Sequence, residues 1–267
     1  LILLKKSFFC KINLIKMQQK NEIKKCWSTV VGEFYNPDHD QIKKKLLTFF
    51  DDYKKKKPSS RRGGENFNLY ESSYDLHKES NPDLQKVLQF ISKCVFSAYQ
   101  EASKAYILER GRDKKYRIEI GASWFITYES GGFVAPHTHD NCSWSCVYYV
   151  QSDKNSNKKN GATFLQAPYA RLKSDIGSES FQHQLQNFEP IEGKLVVWPS
   201  YIIHGSYPHL GKVKKAIISA NLVIEEAKSF GAKIYSEESF MALNKAPQYT
   251  LNNEAKTIKR KATVKVE

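Results

Sequence analysis

From residue 116 onward the chain is written in short β-type runs with turns between them, and this texture limits the fold more than any other feature. The runs are YRIEIGASWFITYE (116–129), GGFVAPHTHD (131–140), SWSCVYYVQ (143–151), ATFLQ (162–166), GKLVVWP (193–199), YIIHGS (201–206) and KAIISANLVI (215–224). Branched and aromatic residues favour strands, and the Gly- and Asn-containing interruptions favour turns. Many short strands without intervening helices are expected to pack as a sandwich or a jelly roll. SDKNSNKKNG (152–161) reads as a polar loop, and 167–190 as a longer irregular connection.

The segment before residue 116 reads as helical. In DQIKKKLLTFFDDYKKKK (40–57), Ile42, Leu46, Phe49, Phe50 and Tyr53 fall at helical spacing, with Asp40 as the expected N-cap. A second helix is expected over 81–108. Asn81 can cap it, Pro82 suits its first position, and Leu84, Val87, Leu88, Ile91, Val95, Ala98 and Ala102 form one apolar face. The organisation expected is a helical support region over 17–115, a β core over 116–226, and a partly disordered C-terminal extension over 227–267. The sequence opens on LILLKK, apolar before basic, which is the wrong order for a signal peptide, and its first Met is Met17. Residues 1–16 are therefore expected to be extra upstream sequence.

The formal charge is +14. Much of the excess lies in runs such as KKKK (54–57) and KTIKRKATVK (256–265). Such runs are usually solvated, so a nucleic-acid partner is not the favoured reading, although the charge leaves it open. No window approaches 18 uninterrupted apolar residues, so no membrane helix is expected. Five cysteines, an odd number and without a CxxC pair, argue against a disulfide framework and for a reducing, cytoplasmic setting. Cys142 and Cys146 lack the second knuckle of a structural zinc site.

The residues with chemical potential begin at FVAPHTHDN. On a strand, residues two apart share a face, so His137 and His139 can grip one ion while Thr138 and Asp140 point away. A third ligand has to come from another strand, and His204 in PSYIIHGSYP is the best candidate. Asp140 replaces His139 only if the strand is irregular there. Eleven residues after His204, Lys215 heads a strand on which Lys215, Ile217, Ser219 and Asn221 share a face. A cation at the start of an inward row calls for an anion, and Tyr149 in CVYYV can donate a hydrogen bond to the same anion. Trp124, Trp144 and Trp198 read as core or pocket wall. His39, His77, His183 and His209 are assigned no role.

The order WFITYESGGFVAPHTHD, SCVYYV, GATFL, EGKLVVWPSYIIHGS, KKAIISANL resembles the Fe(II)- and 2-oxoglutarate-dependent oxygenases. It is nearest in kind to members described from bacteria and phages, and more distantly similar to the prolyl hydroxylases. The resemblance covers about residues 117–224 at motif level. It implies a mainly β fold with N-terminal helices, a double-stranded β-helix of the jelly-roll, cupin-like kind. It further implies Fe(II), 2-oxoglutarate and O2 as cofactor and cosubstrates, and hydroxylation of a C–H bond; the sequence does not name the substrate, and a small molecule, a peptide side chain and a nucleotide all stay open. His137 and His204 match the iron-binding histidines, Lys215 the family's carboxylate-binding arginine, and Tyr149 a tyrosine on that carboxylate. Tyr128 matches a second pocket tyrosine. Two departures stand out: His139 occupies the place of an Asp or Glu, and Lys215 that of an Arg. A three-His site also fits a cupin-like dioxygenase without 2-oxoglutarate, or a non-catalytic metal- or ligand-binding jelly roll.

Overall fold

The computed structural model describes residues 28–60, 68–104, 116–168 and 184–226. The expectations for residues 1–16, for 105–108 of the second helix, for His183 and for the tail after 226 lie outside these residues. The elements are β1 (Gly32–Tyr35), α1 (His39–Lys56), β2 (Leu69–Glu71), α2 (Pro82–Ala102), β3 (Tyr116–Tyr128), β4 (Trp144–Gln151), β5 (Thr163–Gln166), β6 (Leu185–Phe188), β7 (Lys194–Pro199), β8 (His204–Ser206) and β9 (Lys215–Glu226). A six-stranded sheet has the order β1-β7-β4-β9-β3-β2, and a three-stranded sheet the order β6-β5-β8. All named pairings are antiparallel. This pair of sheets is the double-stranded β-helix. The N-terminal part is more than helical support, because β1 and β2 form the two edges of the large sheet.

The large sheet is apolar on both faces, so it is buried twice. One face carries the helices: Ile42, Leu46 and Phe50 of α1 and Leu84, Leu88 and Ile91 of α2 pack with Tyr148, Leu195, Val197 and Ile218. Phe50 stacks on Phe125 with ring centroids 4.1 Å apart. The other face carries Trp124, Ile126, Tyr128, Val147, Tyr149, Val196, Trp198 and Ile217, closed by Val134, Leu165 and Phe188. A bulge decides which residues of β3 face which side. The register with β9 shifts between Ile120 and Ala122, leaving Gly121 as the extra residue. Ile118 and Ile120 therefore face the helices, whereas Trp124, Ile126 and Tyr128 face inward. Without that one-residue insertion the period-two rule would turn the three inward residues outward.

Several local expectations are corrected. α1 starts at His39, so Asp40 lies inside the first turn; the cap position is Asp38, whose side chain makes no capping bond. Asn81 does cap α2, accepting from Asp83 N and Leu84 N, but that helix ends at Ala102. Residues 133–141 are not a strand. Pro136 has no N–H to give to a ladder, and the segment is held by an isolated bridge between His137 and His204. YIIHGS supplies strand only from His204, because Ile202 N turns back to Pro199 O. β1, β2 and β6 are additional strands, each too short for periodicity to reveal.

Candidate metal centre and cavity

His137 and His204 come from remote segments and are locked by reciprocal backbone bonds. Each N–H donates to the other's carbonyl at 2.9 Å. Val134 and Ser206 pair next to them: Ser206 N donates to Val134 O, and Val134 N to Ser206 Oγ, both at 2.9 Å. Gly205 lets these segments approach. A Cβ there would meet the Phe164 ring at 2.7 Å and Val134 O at 2.9 Å. His139 N donates to Ser200 O at 3.2 Å, which draws the third imidazole in although the chain around it is irregular.

The result is a cluster in which one ligand atom from each of His137, His139 and His204 lies within 4.8 Å of the others. Asp140 is exposed and outside the cluster. Two of the rings are held by backbone carbonyls. His137 Nδ1 lies 2.8 Å from Ala135 O, and His204 Nδ1 lies 3.0 Å from Ile202 O. A carbonyl only accepts, so each Nδ1 carries the proton and each Nε2 keeps its lone pair, which is the form that binds a metal. The donor set therefore fits a divalent ion such as Fe(II). It lacks the carboxylate of the usual two-His-one-carboxylate face.

The cluster opens on a small pocket of about 40 Å³. Its walls include Trp124, Ile126, Val134 and Trp198, with Tyr128 and Thr163 among the polar-tipped residues. Trp144 belongs to the helix-side core instead.

Lys215 lies behind Tyr128, its Nζ 3.8 Å from the ring centroid. It is 1% exposed and donates to Gly161 O at 2.9 Å. Gly161 has φ of +71° and sits against the lysine stem, a conformation that suits glycine. Among the described residues no carboxylate pairs with this ammonium, and burial pushes it down to about 7. Tyr149 is fully buried, and burial pushes its hydroxyl up to about 12. That hydroxyl donates to Thr163 Oγ1 at 2.7 Å and accepts from Thr163 N at 3.2 Å. Tyr149 does not line the cavity itself, whereas Thr163 does.

Glu71, Thr163 and Ser219 line the cavity and were not singled out from the sequence. Ser219 was at least placed on the inward row of β9. Glu71, 1% exposed, sits on a three-residue strand that carries no periodic signal. His39 and His77 are structural: they contact the Tyr148 hydroxyl at 2.7 Å and Ser123 Oγ at 3.1 Å.

Residues 122–221 match a family model described as "Putative 2OG-Fe(II) oxygenase". No curated protein matches. Among solved structures, the chain is similar to a Pseudomonas putida prolyl-4-hydroxylase, with 15% identity over 73% of this chain and 93% of that one and a TM-score of 0.47. It is similar to HygX from Streptomyces hygroscopicus, determined with nickel, 2-oxoglutarate and hygromycin B, with 9% identity over 73% and 83% and a TM-score of 0.45. It is also similar to a prolyl hydroxylase from Trichoplax adhaerens in complex with a hypoxia inducible factor oxygen degradation domain peptide fragment, with 15% identity over 82% and 87% and a TM-score of 0.45. The matched segment begins on β3 and ends on β9, and it contains all three clustered imidazoles and Lys215; over these residues the chain is similar to the 2OG-Fe(II) oxygenases.

Proposed function

We propose that the cavity is a hydroxylase site in which His137, His139 and His204 hold Fe(II), and Lys215 pairs with the far carboxylate of 2-oxoglutarate. The observation that carries this reading is the meeting of three imidazoles at a cavity whose wall, Tyr128, backs onto a buried ammonium without an acid partner. Bound there, Fe(II) supplies O2 activation coupled to conversion of 2-oxoglutarate into succinate and carbon dioxide. The protein's own part is binding and orientation. Ala135 O and Ile202 O fix two imidazoles with Nε2 as the donor atom. Lys215 offers a point charge where an arginine would offer a fork. Thr163 accepts from Tyr149, so its own hydroxyl proton is available to a carboxylate, and Tyr149 acts through it. Tyr128 screens the ammonium. The apolar walls exclude water around the reacting bond.

The substrate is a small molecule or a peptide side chain. A reducing, cytoplasmic setting belongs to the same proposal, because Fe(II) and the unpaired thiols of Cys94, Cys142 and Cys146 persist best there. Helices long and apolar enough to cross a membrane are absent among the described residues.

The test is anaerobic addition of Fe(II) and 2-oxoglutarate, read by the visible charge-transfer absorption. The band should be lost in His137→Ala and His204→Ala and weakened in Lys215→Ala. An unaltered band in His139→Ala would remove His139 from the ligand set. The all-imidazole donor set also favours a second reading, a dioxygenase that needs no cosubstrate. Oxygen-dependent formation of succinate decides between them.

A further inference from the structure

Glu71 is 1% exposed, and among the described residues that line the pocket it is the only carboxylate. Its place follows from strand register. β2 pairs antiparallel with β3, Leu69 opposite Tyr128, Tyr70 opposite Thr127 and Glu71 opposite Ile126. Side chains directly opposite one another share a face. Leu69 and Glu71 therefore stand inward with Tyr128 and Ile126, whereas Tyr70 turns to the helix side and stacks on Phe125. The backbone is tied at this point. Glu71 N donates to Ser60 Oγ at 2.8 Å, and the adjacent Ser72 exchanges two bonds of 3.0 Å with the main chain of Phe125.

Aromatic rings lead from this carboxylate to the imidazoles. The Tyr74 hydroxyl donates to Glu71 Oε1 at 3.5 Å, the Tyr74 ring lies 4.9 Å from that of Trp124, and Trp124 lies 5.6 Å from His139. A carboxylate next to an indole suits a cation twice: the acid accepts charge-assisted hydrogen bonds, and the ring face attracts the positive charge. Glu71 stands outside the group of imidazoles that can hold one ion, so its charge serves a ligand of the pocket and not the metal. Lys215 offers the opposite sign. It pairs with Tyr128 from β9, while Glu71 pairs with Ile126 from β2, so cation and acid flank β3 on its two sides.

We propose that Glu71 determines specificity, pairing with an ammonium or guanidinium group of the substrate and so holding a neighbouring C–H bond of that cationic compound at the metal centre. The inference rests on the reading of this pocket as an oxygenase site and names the substrate class. Burying an acid on an otherwise apolar face costs the fold stability, and it selects ligands by charge in return. The whole protein, at a formal charge of +14, repels cations. A preference for a cation therefore requires a local acid.

The test uses the full chain and two probes of equal length, n-pentylammonium and neutral 1-pentanol. Binding is read at the indole N–H signal of Trp124 in the pocket wall, with Trp144 in the helix-side core as the reference that should not move. Wild type should bind the ammonium about ten-fold more tightly than the alcohol, and Glu71→Gln, which keeps size and an acceptor for Tyr74, should remove that preference. Equal affinities in wild type, no response of Trp124 to either probe, or a preference that survives in Glu71→Gln overturns the inference. If Glu71→Gln does not fold, the two probes on wild type still decide, because the net charge works against the expected result. The oxygenase reading fails separately. A missing Fe(II)–2-oxoglutarate band with the ammonium preference intact leaves a cation site but removes its role in substrate choice. A normal band with equal probe affinities removes only the assignment of Glu71.

Discussion

His137 and His204, 67 positions apart in the chain, each donate a backbone N–H to the other's carbonyl at 2.9 Å. The two backbone segments that carry the rings are thereby aligned by main-chain bonds. Each Nδ1 is fixed in turn by a carbonyl two residues earlier, Ala135 O and Ile202 O.

This predicts that losing an imidazole and losing the fold are separable. His204→Gln should lower Co(II) affinity by more than about 100-fold, since a ligand outweighs the outer-shell partners that are themselves worth 10–100-fold. Chemical denaturation of the metal-free variant should stay within about 1 kcal/mol of wild type. Calorimetric titration and urea unfolding measure the two quantities independently.

Lys215 should trade stability for binding. A buried ammonium without a carboxylate is costly, and apolar replacement of buried charge is often stabilising. Lys215→Met should therefore raise stability at pH 6 by about 1 kcal/mol, net of the bond lost at Gly161 O. It should also abolish stabilisation of the protein by 2-oxoglutarate in a thermal-shift measurement.

The same residue predicts a pH dependence. Its folded value is pushed down to about 7 from an unfolded value of 10.5. Between these two values the unfolded chain binds more protons, so the Lys215 contribution to stability rises with pH across that window and is lowest below 7. A dicarboxylate selects the ammonium form. Above pH 7 its binding should draw in up to one proton and weaken by as much as about ten-fold per pH unit. Titration calorimetry in buffers of different ionisation enthalpy measures the proton uptake.

Tyr149→Phe should cost about 1–3 kcal/mol, because it leaves Thr163 N and the buried Thr163 hydroxyl short of a partner. If Tyr149 acts through Thr163, 2-oxoglutarate affinity should fall in Thr163→Val as well. The double variant should then fall by less than the sum of the two, which a double-mutant cycle reads directly.

On the helix side, Phe50→Ala removes the ring stacked on Phe125 and should destabilise by about 3–5 kcal/mol. Its metal affinity, measured below the unfolding transition, should be unchanged because the two cores lie on opposite faces of the sheet.

The sequence by itself determined the strand-rich class, since alternating and branched runs such as CVYYV and KLVVW have few ways to bury themselves. It determined the inward row Lys215, Ile217, Ser219 and Asn221 for the same reason: side chains two apart on a strand share a face. The histidines were legible as residue types at a spacing. Tertiary structure decided the rest. The bulge at Gly121 chose which face of β3 meets the cavity, and one inserted residue leaves no periodic trace. Pro136 removed the strand that was to align His137 and His139, and long-range bonds to His204 and Ser200 aligned them in its place. Glu71 and Thr163 reached the cavity through β2 and β5, elements whose pairing depends on contacts far along the chain.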